Sequence, residues 1–173
     1  MKMNGLKRTL AVAAACLVLA PAAFAATPAK GAQIPNPIVA YDTYDAAAKA
    51  AGFTPLYLTK DSGYACTYIS VISKELADLG FTKLGQPDTT LRVRTALKKN
   101  NKDNNLSGIY GAKWEKKTVN EKEIQIAKLG DNEYAAQWDQ GKYSFAAQAK
   151  GLEGAAFESL LSNSLVDATD HYF

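Results

Sequence analysis

Apolar residues recur at every second position through most of residues 63–150 and at helical spacing only near the two ends of the chain. From Gly63, Ala65, Thr67, Ile69 and Val71 alternate with Tyr64, Cys66, Tyr68, Ser70 and Ile72, the period of a strand. Residues 74–84 suit either a short helix or a strand. The strand is preferred because the next segment offers an antiparallel partner. Gly85 to Asp88 reads as a turn. Thr89 to Leu97 is a strand with Leu91, Val93, Thr95 and Leu97 on one face and Arg92 and Arg94 on the other. A polar loop follows from Lys98 to Asn105. Four more strands are expected at 114–119, 123–129, 133–138 and 143–149. The turns joining them carry Asn120-Glu121, Gly130-Asp131-Asn132 and Asp139 to Lys142. Turns this short force neighbouring strands to run antiparallel.

The ends behave differently. Asp42 or Thr43 offers a side-chain oxygen to an orphan helical N–H, the alanine-rich run 44–51 favours helix, and Gly52 stops it. Near the other end, Ala156, Phe157, Leu160, Leu161 and Leu165 form one stripe of a helix over 153–165. Residues 166–173 read as a short frayed tail. The expected fold is α+β: an antiparallel meander of about six strands flanked by an N-terminal and a C-terminal helix, in a single domain over 38–165.

Residues 1–25 carry a different pattern. Lys2, Lys7 and Arg8 precede an apolar run from Leu10 to Leu19, and Ala23-Phe24-Ala25 supplies small residues for cleavage. These are the three parts of a secretory signal peptide. The apolar run is shorter than the roughly 20 residues that span a membrane, and no transmembrane span is expected after cleavage. Ala13 to Cys16 loosely resembles a lipidation motif. Ala13 stands where that motif has a branched aliphatic, and the apolar run continues past the cysteine. Residues 26–37, with Pro28, Pro35 and Pro37, read as a flexible spacer. The expected location is outside the cytoplasm, in the periplasm or the extracellular space.

Export alters the charge and the cysteine count. The full chain has 20 Lys and Arg against 17 Asp and Glu. Three of the basic residues leave with residues 1–25, so the mature chain is neutral and overall charge no longer argues for nucleic acid. Cys66 remains as a lone cysteine, which excludes an internal disulfide. It reads as a small buried thiol, with an intermolecular bridge or a reactive thiol as alternatives. His171 is the third residue from the end, no metal-ligand spacing appears, and glycine-rich phosphate loops are absent. Asp131, Asn132 and Glu133 are explained by turn preference rather than calcium. No catalytic residue, cofactor or metal is expected.

Two features point to recognition. Nine basic residues between Arg92 and Lys122 face only Asp103, Glu115 and Glu121. With Tyr110 and Trp114 interleaved, this run either meets an acidic partner, glycan or headgroup, or forms a solvated face whose lysines guard strand edges. The candidate partner-binding residues are Arg92, Arg94, Tyr110, Trp114 and Lys116. Nine tyrosines and two tryptophans along the strands either line a groove or form the half-buried face of a sheet.

Certain stretches in this order carry a resemblance: Asn36 to Val39, Ala46 to Phe53, Gly63-Tyr64 leading into Ile69 to Ile72, and Leu91 to Ala96. Ser107-Gly108 with Tyr110, Ala136 to Trp138, and Gly141 to Phe145 continue it. Together, over about residues 36–165, the chain resembles the bacterial extracytoplasmic family catalogued as domain of unknown function 4367. That resemblance implies a domain of the bacterial envelope and carries no catalytic residues. Members are often membrane-tied, whereas this chain has no transmembrane helix and no sigma-binding segment. A more distant architectural analogy is to periplasmic lipoprotein carriers, in which a curved sheet shelters helices over an apolar cavity. The sequence therefore leads to an exported, non-enzymatic binding or interaction domain of the cell envelope, a monomer with an unknown envelope protein or ligand as partner. The alternative is a periplasmic carrier of a lipid or other apolar ligand.

Overall fold

The computed structural model describes residues 37–173. The expected signal peptide and all of the spacer but Pro37 lie outside the described residues. Eight strands form one antiparallel sheet: β1 (Ile38–Ala40), β2 (Tyr64–Ile72), β3 (Leu76–Lys83), β4 (Gln86–Leu97), β5 (Glu115–Val119), β6 (Lys122–Gly130), β7 (Glu133–Gln140) and β8 (Tyr143–Lys150). Their spatial order is β1-β2-β3-β4-β8-β7-β6-β5. Two four-stranded meanders thus meet along β4 and β8, where Leu91 pairs Ala149, Val93 pairs Ala147 and Thr95 pairs Phe145. The sheet has eight strands rather than about six. The edge strand β1 is only three exposed residues long and leaves almost no alternation to read.

Helix α1 (Tyr44–Ala51) lies between β1 and β2, so a strand rather than a helix opens the described part of the domain. Its N-cap is Thr43, whose hydroxyl accepts from the Ala46 N–H at 3.3 Å. Gly52 closes it in the left-handed region at φ 73°, where a side chain would be strained. The following residues turn back onto the sheet. Phe53, Leu56 and Leu58 are buried, and the Leu56 N–H donates to Thr95 Oγ1 near the end of β4 at 2.9 Å.

The C-terminal segment supplies the main cover. Helix α2 (Gly154–Leu160) runs through a π-helical stretch at Leu161–Leu165 into helix α3 (Val166–Tyr172). Phe157, Leu161, Leu165 and Val166 have no exposed surface, and burying side chains of this size contributes about 2 kcal/mol each. They pack with Phe81, Leu91, Val93, Ile124, Trp138 and Phe145 from the sheet. The expected tail is therefore not frayed, and the folded domain extends past 165 to the end of α3. Thr169 is fully buried and accepts from Trp138 Nε1 at 3.1 Å, while the Phe173 ring meets Phe145 edge-on at 5.0 Å. The polar letters of 167–171 hide this anchoring in the sequence. The π stretch has its own tether: Asn120, in the β5–β6 turn, donates from Nδ2 to the Ser162 carbonyl at 2.7 Å.

Two local departures decide which residues face which way. A bulge between Cys66 and Tyr68 interrupts the β2–β3 register. It breaks the simple alternation expected along 64–72: Tyr64, Cys66 and Ile69 all join the core beneath the helices, whereas Tyr68 and Ser70 turn to the opposite face. The β3–β4 turn is also tighter than expected. Strand β4 already begins at Gln86, paired with Lys83.

One connection is forced to be long. Strand β4 lies at the centre and β5 at the far edge, four strand spacings or about 19 Å away. Residues 98–114 make this crossing over the face opposite the helices, where Leu106 packs on Ala96 and Ala146. The sheet therefore has one face closed by helices and another strapped by a loop.

Candidate functional site

The strapped face is polar because the positions that alternate with core residues are polar. Its centre is Asp78 of β3, whose side chain is 3% exposed. Arg92 of β4 donates to it from Nε at 2.8 and 3.0 Å and from Nη2. Arg94 adds a bond from Nε at 3.2 Å, and the Tyr68 hydroxyl another at 3.2 Å. Three donor side chains on a single carboxylate satisfy a charge that would otherwise be costly to bury. The bond to Asp78 raises the already high pKa of Arg92. Burial, followed by the negative charge of Asp78, raises that of the Tyr68 hydroxyl. Both groups stay protonated at neutral pH.

Arg94 has a second task. Its Nη1 donates to the carbonyls of Leu106 and Ser107 at 3.1 and 3.0 Å. The strap is thus tied to the sheet through a guanidinium that Asp78 holds in place. Within the strap, Ser107 Oγ donates to Asn105 Oδ1 at 2.7 Å and accepts from the Ile109 N–H at 3.2 Å.

Between the strap and β6–β8 lies a cleft of about 330 Å³ lined by Asn101, Asn104, Glu123, Gln125, Gln137, Asp139 and Ser144 among others. The sheet register explains the grouping. Gln125 pairs Gln137 across β6 and β7, and Asp139 pairs Ser144 across β7 and β8, so these side chains stand together on the strapped face. Gln137 Nε2 donates to Gln125 Oε1 at 2.6 Å, and Ser144 Oγ donates to Asp139 Oδ1 at 2.7 Å. A second cleft, of about 470 Å³, lies between the strap and the β2–β3 turn and reaches Tyr110.

The five residues singled out from sequence are not gathered into one patch. Arg94 is 15% exposed and engaged by Asp78 and the strap, while Arg92 shares that carboxylate with 39% of its side chain exposed. Tyr110 is 84% exposed on the strap. Trp114 is half-buried just before β5. Lys116 is exposed on β5 and paired with Glu123 at 2.8 Å. The basic run is spread over both faces, and most of its members are paired locally. Lys98 faces Asp139, Lys113 faces Glu115, Lys117 faces Glu158 and Lys122 faces Asp170. Glu115 lies within the run and Glu123 just past it, but Asp139 of β7 and Glu158 and Asp170 of the C-terminal helices are distant in sequence, so a window on 92–122 could not reveal them.

Sequence reasoning missed Asp78 and the Gln125–Gln137 pair. Each stands at a period-two position opposite a core residue, and that parity is the signal that was available. Cys66 is half-buried rather than fully buried. Burial pushes its thiol pKa above the usual value, with hydrogen bonds to Tyr57 and the Tyr68 carbonyl opposing the shift. His171 lies in α3, with Nδ1 2.9 Å from the Asp167 carbonyl. Among the described residues no group of three or more His, Cys, Asp or Glu is placed to hold a metal ion, and no helix is long and apolar enough to cross a membrane. No family model, curated protein or solved structure matches this chain.

Proposed function

We propose that this protein is an exported, non-enzymatic binding module of the bacterial cell envelope, and that it meets its partner on the strapped face of the sheet. The observation that carries the reading is the contrast between the two faces. On one side Phe81, Phe145, Phe157, Leu161 and Leu165 fill the space between sheet and helix with at most 1% exposure each. On the other, a mainly polar cleft and a second of mixed lining open beside a tethered loop. Ligand sites are concave and use convergent polar groups on a rigid scaffold to fix orientation, and the strapped face offers concavities with such groups. A carrier of apolar ligands needs an apolar cavity on the helix side. The cleft there, about 360 Å³ beside α2, carries Lys117, Lys128 and Glu158 along with Ile126 and Phe157, and the packed interior supports recognition over carriage.

Export is part of the same proposal and rests on Lys2, Lys7, Arg8, the apolar run 10–19 and Ala23-Phe24-Ala25. Native mass spectrometry of the protein purified from its own host tests both parts. The expected species is a chain beginning at Ala26 with no apolar adduct. A chain retaining residues 1–25 in the cytoplasm contradicts export, and a stoichiometric co-purified lipid contradicts the assignment of binding to the strapped face.

A further inference from the structure

We infer that the cleft between the strap and β6–β8 binds a neutral, polyhydroxylated ligand, a saccharide unit of an envelope or extracellular glycan. This rests on the binding-module reading above and names the class of ligand.

The lining decides the chemistry. Its volume of about 330 Å³ lies in the range of small-ligand sites, about 300–1,000 Å³. Its lining is mainly amides, hydroxyls and carboxylates from three adjacent strands and the strap, with Leu106, Trp138 and Phe145 as the apolar members, a balance that disfavours a lipid tail. The carboxylates are already compensated. Asp139 lies 3.4 Å from Lys98 Nζ, and Glu123 lies 2.8 Å from Lys116 Nζ. The cleft therefore has no large excess of either sign with which to hold an ion.

What remains is a hydrogen-bonding surface with spare acceptors. Gln137 spends an N–H on Gln125, and its own Oε1 is buried with no hydrogen-bond partner. A buried amide oxygen without a partner costs about 1–3 kcal/mol, and native proteins retain such atoms rarely and for a reason. Asp139 accepts from Ser144 and adds further acceptor capacity beside it. A partner for these groups must bring O–H or N–H donors without charge. From the strap, the exposed Asn104 adds an amide that both donates and accepts. Vicinal hydroxyls donate and accept at once, which matches this alternation of amide and carboxylate groups better than a peptide backbone, whose donors recur only once per residue.

The test is an amide-resolved NMR titration of the purified protein with maltotriose, cellotriose and tri-N-acetylchitotriose, repeated with a neutral tripeptide, Gly-Ser-Gly. The expected result is saturable shifts at Gln125, Gln137 and Asn104 with at least one saccharide. Gln137→Met and Asn104→Gly should each weaken that binding about tenfold, the scale of one or two lost hydrogen bonds. Asn104→Gly guards against a folding artefact, because the residue is exposed and its φ of 51° suits glycine. Lys128→Gln, on the helix side of β6, should bind as the parent does. Saturable tripeptide shifts at the cleft with none from saccharides overturn the inference and leave the binding-module reading standing. Saccharide shifts unaffected by either cleft variant overturn it as well. If no probe shifts the strapped face, both the inference and the placement of the binding face fail.

Discussion

The ring of Tyr68 occupies the space that a side chain on Gly80 would need: a Cβ built there falls 2.0 Å from Tyr68 Cε1. The two residues are register partners across β2 and β3. The missing side chain lets the ring lie across the strand and bring its hydroxyl to Asp78. Gly80→Ala should therefore displace Tyr68 and cost about 1–3 kcal/mol, the range for forcing extra atoms into a packed site. In a Tyr68→Ala background the same change should cost far less. Urea denaturation of the four proteins in a double-mutant cycle reads the coupling, and equal costs in both backgrounds would show that the ring is not what Gly80 accommodates.

The strap should loosen when Arg94 is changed. Arg94→Met keeps much of the aliphatic length but loses the bonds to Asp78 and to the carbonyls of Leu106 and Ser107. Amide hydrogen exchange at 104–110 should accelerate more than at β7 and β8, which keep their own ladders. Uniform acceleration across the sheet would mean that Arg94 supports the whole fold rather than the loop.

The C-terminal helices should prove indispensable. A chain ending at residue 165 loses Val166 and Thr169, both fully buried, and the aromatic contacts of Phe173. It should fail to give a cooperative thermal transition. The milder Thr169→Val leaves Trp138 Nε1 without its acceptor and should cost about 1–3 kcal/mol. A truncated chain as stable as the parent would contradict the packing described for α3.

Cys66 gives a pH dependence with a defined sign. Its pKa is raised above the usual 9.0, mainly by burial, so folding favours the protonated thiol. That contribution is fully present below the unfolded value and is lost as pH rises through the folded one. Stability should fall in the alkaline range above pH 9, and Cys66→Ser should remove that part of the decline. At mildly alkaline pH, iodoacetamide should label the folded protein more slowly than the urea-unfolded chain. Equal labelling rates would show that the environment does not suppress the thiolate.

Particular residues show how far the sequence could be read. Strands β4 to β8 were legible because apolar and polar positions alternate through Leu91-Arg92-Val93-Arg94 and Tyr143 to Ala149, with turn residues between them. The bulge after Cys66 was not, because nothing in Thr67 marks it. The β2–β3 turn places Ser73 and Lys74 at φ 53° and 60°, values that their residue types do not advertise. Helix α3 was hidden by Asp167, Thr169 and Asp170, since a buried threonine that accepts from a tryptophan looks like any polar residue. Arg92 and Arg94 lie on the face that their alternation with Leu91, Val93 and Thr95 predicts. Their counter-ion Asp78 sits on the neighbouring strand, and only the β3–β4 register brings it to them. The strap was legible as a loop. Its course across the sheet follows from β5 lying at the far edge, which strand order alone reveals.

Recognition is assigned to the strapped face, and the space between sheet and helices to packed core. A backbone-amide shift map under titration with the saccharide panel tests this assignment most directly, scored by face. The account predicts saturable shifts clustered at residues 101–106, 123–125, 137–139 and 144, with Phe157, Leu161 and Val166 unmoved. Shifts centred on those three helix residues, with the strapped face silent, would contradict it.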